Sequence, residues 1–330
     1  MIKHLILILL VILASCDFTP AKNSTAEKKK KKEVVSTPSF NADSAYLYVQ
    51  QQVDFGPRVP NTEAHGLCAE YLAQKLKDFG ADVIVQDAEV TAFDNTLLHA
   101  KNIIGQYKPE IRDRILLFAH WDSRPFADHC PDGSRQNEPI LGANDGGSGV
   151  GVLLEIARQL NTTPLPFGVD IIFFDAEDYG NPDHIEIQNP KQDTWCLGSQ
   201  YWGKNPHVKN YYARFGILLD MVGAPNATFY KEMNSKYFAP RILKKVWNTG
   251  HKLGYGNYFI FEDGGGITDD HVYVNKHLNI PCINIIQYDP TTDSSFGSYW
   301  HTHDDDMDVI DKNTLKAVGQ TVLEFVYSEQ

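Results

Sequence analysis

Residues 171–178 read Ile-Ile-Phe-Phe-Asp-Ala-Glu-Asp, an apolar run that changes abruptly to acidic residues. The same change occurs at residues 115–122, Ile-Leu-Leu-Phe-Ala-His-Trp-Asp, and again where residues 217–219 lead into Asp220. Apolar runs without polar alternation are typical of strands that are buried on both faces of an α/β sheet. Because ligands bind beyond the carboxyl ends of such strands, the polar residues at these exits are the first candidates for a functional site.

Segments with helical apolar spacing alternate with apolar runs along the rest of the chain. The predicted helices are residues 44–53, 63–79, 149–160, 240–253 and 313–327. The predicted strands are residues 82–86, 103–107, 115–119, 169–174, 216–221 and 282–286. This order predicts a single α/β domain over residues 41–330, with a mixed, mostly parallel central sheet covered by helices on both faces.

The composition is that of an acidic globular protein. Hydrophobic residues make up 42% and aromatic residues 12% of the 330 residues, which supplies a sizeable core. The formal net charge is −12, and the lysine run at residues 28–32 lies in the polar N-terminal stretch, so the folded part is more acidic still. A surface of this sign repels nucleic-acid backbones, and we expect no nucleic-acid partner.

The first residues have the features of an export signal. Lys3 and His4 precede an apolar run at residues 5–13, which is too short to span a bilayer. The sequence Leu-Ala-Ser-Cys at residues 13–16 resembles a bacterial lipobox, a signal in which the cysteine is lipidated and becomes the new N-terminus. A plain secretory signal followed by a chance cysteine is the alternative.

The lipobox interpretation divides the N-terminal region into two parts. We predict a signal peptide at residues 1–15 and a lipidated Cys16 that begins a polar, lysine-rich tether at residues 16–40. The protein would then be exported and held by its lipid anchor on the periplasmic side of a bacterial envelope.

Several potential metal ligands stand at the ends of the predicted elements. Carboxylate and imidazole groups suit Zn²⁺, and catalytic zinc sites draw their ligands from well-separated segments. An aspartate before a helix is usually an N-cap, so the argument depends on the whole set and not on one residue. The set is His120, Asp145, Asp178, Asp220 and His301.

The order of these residues resembles that of the zinc aminopeptidase superfamily, and Phe-Gly-Pro-Arg at residues 55–58 is similar to its N-terminal signature. Within the superfamily the chain is most similar to the glutaminyl cyclases, which are zinc-dependent glutaminyl-peptide cyclotransferases. The resemblance covers roughly residues 41–330. The segments that favour a cyclase are Leu-Asp-Met-Val-Gly-Ala-Pro-Asn-Ala-Thr-Phe at 219–229, Thr-Asp-Asp-His at 268–271, and Phe296 with Trp-His-Thr at 300–302.

This resemblance implies one catalytic zinc per chain, with Asp145, Asp178 and His301 as its ligands. Glu177 corresponds to the general acid/base of the cyclases. Many cyclases have Glu-Glu where this chain has Glu-Asp, so the ligand at position 178 is one methylene shorter.

The resemblance also implies the groups around the reaction. Asp220 and Asp269 correspond to the acidic pair that supports the general acid/base, and Trp300 and Phe296 correspond to the wall of the substrate pocket. Animal cyclases carry a further tryptophan shortly after the Glu-Glu pair. A longer stretch precedes Trp195 here, so the sequence leaves its alignment open.

The implied activity is cyclisation of the N-terminal glutamine of peptides and proteins to pyroglutamate, with release of ammonia. The expected partners are such peptides and, through the anchor, a membrane, and we expect a monomer. A zinc aminopeptidase is an alternative, in which a second metal would use His120 and Asp220 and share Asp145. A non-catalytic binding lipoprotein on the same scaffold is a further alternative, disfavoured because no ligand is missing.

The lipobox hypothesis predicts the effect of Cys16→Ser. The serine hydroxyl cannot accept the thioether-linked lipid, so the variant should leave the membrane fraction or accumulate as an unprocessed precursor. Membrane fractionation with mass measurement of the N-terminal peptide would check this. Unchanged membrane attachment of the variant would contradict the hypothesis.

Overall fold

The computed structural model describes residues 35–186 and 193–330, so the predicted signal peptide, Cys16 and most of the tether lie outside the described residues. The helices are α1 Ala42–Val53, α2 Glu63–Asp78, α3 Gly147–Thr162, α4 Leu197–Lys204, α5 Met233–Phe238, α6 Pro240–Lys252, α7 Asp270–Leu278 and α8 Lys312–Ser328. The strands are β1 Asp82–Thr91, β2 Leu97–Tyr107, β3 Arg114–His120, β4 Gly168–Phe174, β5 Gly216–Asp220, β6 Phe229–Lys231, β7 Phe259–Asp263 and β8 Cys282–Ile286.

Six strands form the central sheet in the order β1-β2-β4-β3-β5-β8. β3 pairs in parallel with β4 and β5, and β5 pairs in parallel with β8, whereas β1 and β2 join one edge in antiparallel fashion. The predicted mixed, mostly parallel sheet is confirmed. Its four parallel strands end at the same edge, which places the residues after β3, β4 and β5 side by side.

Helices cover both faces of this sheet, as predicted. Alternate residues of one strand enter different cores: Leu117 packs in the larger core with α1, α2, α3, α6 and α8, and Leu116 packs in the smaller core with α4 and α7. Both cores exclude water from the strands, which accounts for apolar runs without alternation in the sequence.

The structure adds elements that sequence periodicity did not predict. β1 and β2 extend well beyond residues 82–86 and 103–107, because they continue as an antiparallel ribbon in which the buried Ala88, Leu98 and Ala100 alternate with more exposed residues. α4, α5, α7 and the small β6–β7 sheet are short, and their apolar residues do not form a clear helical or alternating pattern.

The packed part of the chain begins before residue 41. Phe40 is buried against Gly319 of α8, and its backbone N–H donates to Gln320 Oε1 at 2.9 Å. Residues 35–40, assigned to the tether from the sequence, therefore contact the domain. Within the described ranges, none of the helices has the length and apolar character needed to cross a membrane.

Candidate functional site

The carboxyl ends of the parallel strands open into a cavity of about 260 Å³. Its lining contains all eight residues of the predicted site: the three catalytic residues, the three ligands of the single zinc and the two residues of the substrate pocket. The complete lining is Asp145, Glu177, Asp178, Trp195, Asp220, Met221, Ile267, Thr268, Asp269, Ile286, Phe296, Trp300 and His301. His120 is buried at the end of β3, beneath the cavity and in contact with Asp145.

Asp145, Asp178 and His301 form the predicted metal-binding group. Their nearest ligand atoms all lie within 4.8 Å of one another, and all three residues are buried. His301 Nε2 lies 3.4 Å from Asp178 Oδ1 and 3.7 Å from Asp145 Oδ2. Ligands about 2.0–2.1 Å from a tetrahedral zinc stand roughly 3.3 Å apart, close to these distances. Asp178 Oδ2 has no hydrogen-bond partner among the described residues, as expected of a group that awaits a cation.

A second group of potential ligands lies directly behind the first. His120 Nε2 is 2.9 Å from Asp145 Oδ1 and 3.3 Å from Asp220 Oδ1. The shorter distance is that of a hydrogen bond, in which His120 donates to the oxygen of Asp145 that faces away from His301. Asp145 thus has one carboxylate oxygen directed to each group.

Arg124 and Asp128 do not line the cavity, but they contact two of the three metal-binding residues, Asp178 and His301. The buried guanidinium of Arg124 makes two parallel hydrogen bonds to Asp128, at 2.7 and 2.6 Å, and donates to the backbone carbonyl of Asp178 at 3.0 Å. Asp128 Oδ1 lies 3.2 Å from His301 Nδ1. This carboxylate favours the proton on Nδ1, which leaves the Nε2 lone pair directed at the cavity. Sequence analysis did not identify either residue.

The loop that carries Asp145 is fixed by buried polar contacts. Asp305 accepts hydrogen bonds from the backbone N–H groups of Asn144 and Asp145 at 2.7 and 3.1 Å. Arg58, from the Phe-Gly-Pro-Arg signature, donates to the backbone carbonyls of Leu141 and Gly142. Burial and the charge of Asp145 raise the pKa of Asp305 to about 8.

Glu177 faces the cavity and contacts Cys196. The Cys196 thiol donates to Glu177 Oε1 at 3.0 Å, and ligand atoms of Glu177, Cys196 and Asp269 lie within 4.8 Å of one another. Burial raises the pKa of Glu177 well above its usual range, against the lowering effect of His120, and the carboxylates of Asp269 and Asp178 raise it further. The site therefore favours a carboxyl group that can hold a proton.

Asp220 and Asp269 are both buried beside Glu177. Burial and the charge of Asp145 raise the pKa of Asp220 to about 6, and burial and the charge of Asp220 raise the pKa of Asp269 to about 7. Asp269 caps α7 and accepts a hydrogen bond from Asn284 Nδ2 at 2.6 Å. Asp269 is therefore a buried, fixed member of the site.

Aromatic side chains form the walls of the cavity. The Trp300 ring stacks on His301 with centroids 3.7 Å apart, and Phe296 packs against Trp300 at 4.8 Å. The Trp195 ring lies parallel to His301, at 6.2 Å and an interplanar angle of 8°, with the Arg124 guanidinium 4.7 Å from its centre. Trp195, which sequence alignment left open, is therefore part of the wall.

The position of Trp195 depends on a glycine at the start of the preceding stretch. A Cβ atom on Gly180 would lie 1.9 Å from the Trp195 ring, a separation that no side chain permits. The close approach brings an indole that is 15 positions later in the chain back to the cavity. Residues 187–192, between the two, lie outside the described residues.

A family model, solved structures and curated proteins all relate this chain to the same group of enzymes. Residues 102–326 match Peptidase family M28. A glutaminyl cyclase from Bacteroides thetaiotaomicron, solved with N-acetylhistamine bound, is 60% identical, with a TM-score of 0.87 over 89% of this chain and 100% of that one. A leucine aminopeptidase precursor from the same organism is 59% identical, with a TM-score of 0.87 over 90% of this chain and 100% of that one.

A curated relative, the glutaminyl-peptide cyclotransferase of Drosophila melanogaster, is 26% identical over 293 residues, which is 81% of this chain and 76% of that protein. The family match covers more than half of the chain and includes every residue of the metal-binding group. The chain belongs to peptidase family M28, and over almost its whole folded part it is similar to a zinc-dependent exopeptidase and a glutaminyl cyclase of known structure.

Proposed function

We propose that this protein is a zinc-dependent glutaminyl-peptide cyclotransferase. The observation that carries the proposal is the position of Glu177 beside the Asp145–Asp178–His301 group, inside a small cavity with aromatic walls. The high identity to glutaminyl cyclases over almost the whole domain supports this activity. The substrates would be peptides and proteins with N-terminal glutamine.

The donor set fits one zinc ion. Asp145, Asp178 and His301 would hold it, and the unpartnered Asp178 Oδ2 is consistent with that role. When bound, zinc supplies a Lewis acid for the γ-carbonyl oxygen of the substrate glutamine.

Cyclisation forms a bond between the α-nitrogen of the glutamine and its own γ-carbon, and breaks the bond from that carbon to the amide nitrogen. The nucleophile is tethered, so the cavity has only to hold the side chain in the bent conformation that brings the two atoms together. Glu177 would take one proton from the attacking amine and return it to the departing nitrogen, which leaves as ammonia. The carboxylates of Asp220 and Asp269 would keep the pKa of Glu177 high enough for it to accept that proton, and they would orient the amine.

The aromatic walls serve the same reaction by excluding water. Trp195, Trp300 and Phe296 present ring surfaces to a space of about 260 Å³, from which a bound glutamine residue would displace water. All of these groups come from one chain, so one copy of the protein would supply the complete site.

A zinc aminopeptidase is the second candidate. His120, Asp145 and Asp220 form a second buried group with metal-ligand spacing, and one close relative carries the name of a leucine aminopeptidase. Incubating the purified protein with Gln-Phe and Leu-Phe peptides separates the candidates. We expect loss of ammonia from the first and no cleavage of either, with about one zinc per chain by metal analysis. Cleavage of the leucine peptide with two zincs per chain would favour the aminopeptidase.

We further propose that the enzyme is an exported lipoprotein, anchored through Cys16 on the periplasmic side of a bacterial envelope. The apolar run at residues 5–13 and the lipobox-like residues 13–16 support this location. The tether would hold the domain near the membrane, where newly exported chains expose their N-termini.

Glu177 and its neighbour Asp178 should give two different phenotypes. Glu177→Gln keeps the side-chain length but removes the titrating group, so turnover should fall by roughly 10²–10⁴-fold while zinc remains bound. Asp178→Asn should weaken zinc binding as well, because a neutral amide is a poorer ligand than a carboxylate. Steady-state kinetics and zinc analysis measure both effects, and Glu70→Gln on the exposed face of α2 is the matched control. Zinc loss in Glu177→Gln with retention in Asp178→Asn would reverse the assignment.

Asp128→Asn should weaken zinc binding although Asp128 is not proposed as a ligand. The amide no longer favours the proton on Nδ1 of His301, and loss of a metal ligand's buried partner typically lowers affinity by about 10–100-fold. Competition with a chelator measures the affinity, and Asp78→Asn on the exposed end of α2 is the control. An unchanged affinity in a folded Asp128→Asn protein would show that the contact does not orient the ligand.

A further inference from the structure

An apolar surface adjoins the cavity beside the loop that carries Thr268. Its members, which we term the aromatic shelf, are Tyr230, Met233, Tyr288 and the backbone of Gly264–Gly266. The rings of Tyr230 and Tyr288 pack at 5.2 Å between centroids, and Met233 is 57% exposed. Tyr237, one helical turn after Met233 and on the same face of α5, is 80% exposed.

The glycine loop lies against these side chains. A Cβ atom on Gly264 would meet Tyr230 at 3.0 Å, one on Gly265 would lie 3.5 Å from the Tyr288 ring, and one on Gly266 would lie 3.0 Å from the Met233 methyl group. Met233 N–H donates to the carbonyl of Gly265 at 3.1 Å, which fixes the loop to the start of α5. The shelf is therefore a formed surface in which backbone and apolar side chains lie flush.

The shelf and the cavity are formed by adjacent residues of the same two segments. Ile267 and Thr268 line the cavity, and Ile286, two residues before Tyr288, lines it as well. Consecutive Cα atoms are 3.8 Å apart, so Gly266 lies within about 8 Å of Thr268. An extended peptide advances about 3.3–3.6 Å per residue, so the second and third residues of a bound peptide can reach the shelf.

The charged side chains beside the shelf pair with one another. Lys231 Nζ lies 3.5 Å from Asp263 Oδ1, and Lys236 Nζ donates to the other oxygen of the same carboxylate. The two ammonium groups share this one carboxylate, which offsets part of their charge, and the shelf side chains themselves are uncharged and offer apolar contact. An exposed apolar patch at the rim of a site that receives peptides is best explained as part of the binding surface.

We propose that the aromatic shelf binds the apolar side chain of the second or third residue of the substrate, so that the enzyme prefers glutamine peptides that continue with phenylalanine, leucine or similar residues. This inference rests on the proposed cyclotransferase activity and specifies its substrate class.

The test compares two peptides, Gln-Phe-Ala amide and Gln-Gly-Ala amide, on the full-length enzyme. The wild type should show a KM several-fold lower for the phenylalanine peptide with a similar kcat, because the shelf acts on binding and not on the reacting atoms. Tyr288→Ala and the exposed Met233→Ser should each raise KM for the phenylalanine peptide by roughly threefold to tenfold and leave the glycine peptide unchanged. Tyr288→Phe, which keeps the ring, should restore the preference.

Tyr212→Ala is the control. Tyr212 is 49% exposed and precedes β5, whose carboxyl end reaches the cavity, so it lies toward the opposite edge of the sheet and should affect neither peptide. Equal KM values for the two peptides in the wild type, or equal effects of the shelf variants on both, would overturn the shelf proposal and leave the cyclotransferase intact. Failure of the wild type to release ammonia from either peptide would overturn both proposals.

Discussion

The concentration of buried carboxylates at one edge of the sheet is the constraint on which the rest of this structure depends. Acidic side chains that repel one another can be buried together only when cations or shared protons compensate them. Arg124, His120 and His301 supply part of this compensation, and a zinc ion fits the remainder. The buried carboxylates are Asp128, Asp145, Asp178, Asp220, Asp269, Asp270 and Asp305, and the half-buried Glu177 lies among them.

Arg124 is central to this charge compensation because its single planar guanidinium contacts two functional segments. It satisfies both oxygens of Asp128 and holds the backbone at Asp178, so the orientation of His301 and the position of Asp178 are set together. Its outer face supports the Trp195 ring, which links the charged centre to the apolar wall. A lysine, with a point charge and no planar fork, could not make these contacts at once.

Much of the fold and of the candidate site could be predicted because both follow from local pattern. The strand exits identified His120, Asp178 and Asp220, since parallel strands end at one edge and their next residues must meet. Arg124 and Trp195 could not be assigned in this way, because their roles arise from contacts across 54 or more residues, or through a stretch whose path the sequence does not specify. The short helices α4 and α7 were not predicted for a related reason, because tertiary packing and not a periodic apolar face stabilises them.

The same ligands can serve hydrolysis or cyclisation, so the metal group alone does not determine the outcome. Hydrolysis requires a water molecule positioned for attack, whereas cyclisation requires that the substrate's own amine arrive first. The rings of Trp195, Trp300 and Phe296 offer such a water no hydrogen-bonding partner apart from the indole N–H groups, and a tethered amine gains the large advantage of an intramolecular nucleophile. The apolar wall and the tethered nucleophile therefore act in the same direction, and together they explain how a peptidase scaffold can favour release of ammonia over cleavage of the chain.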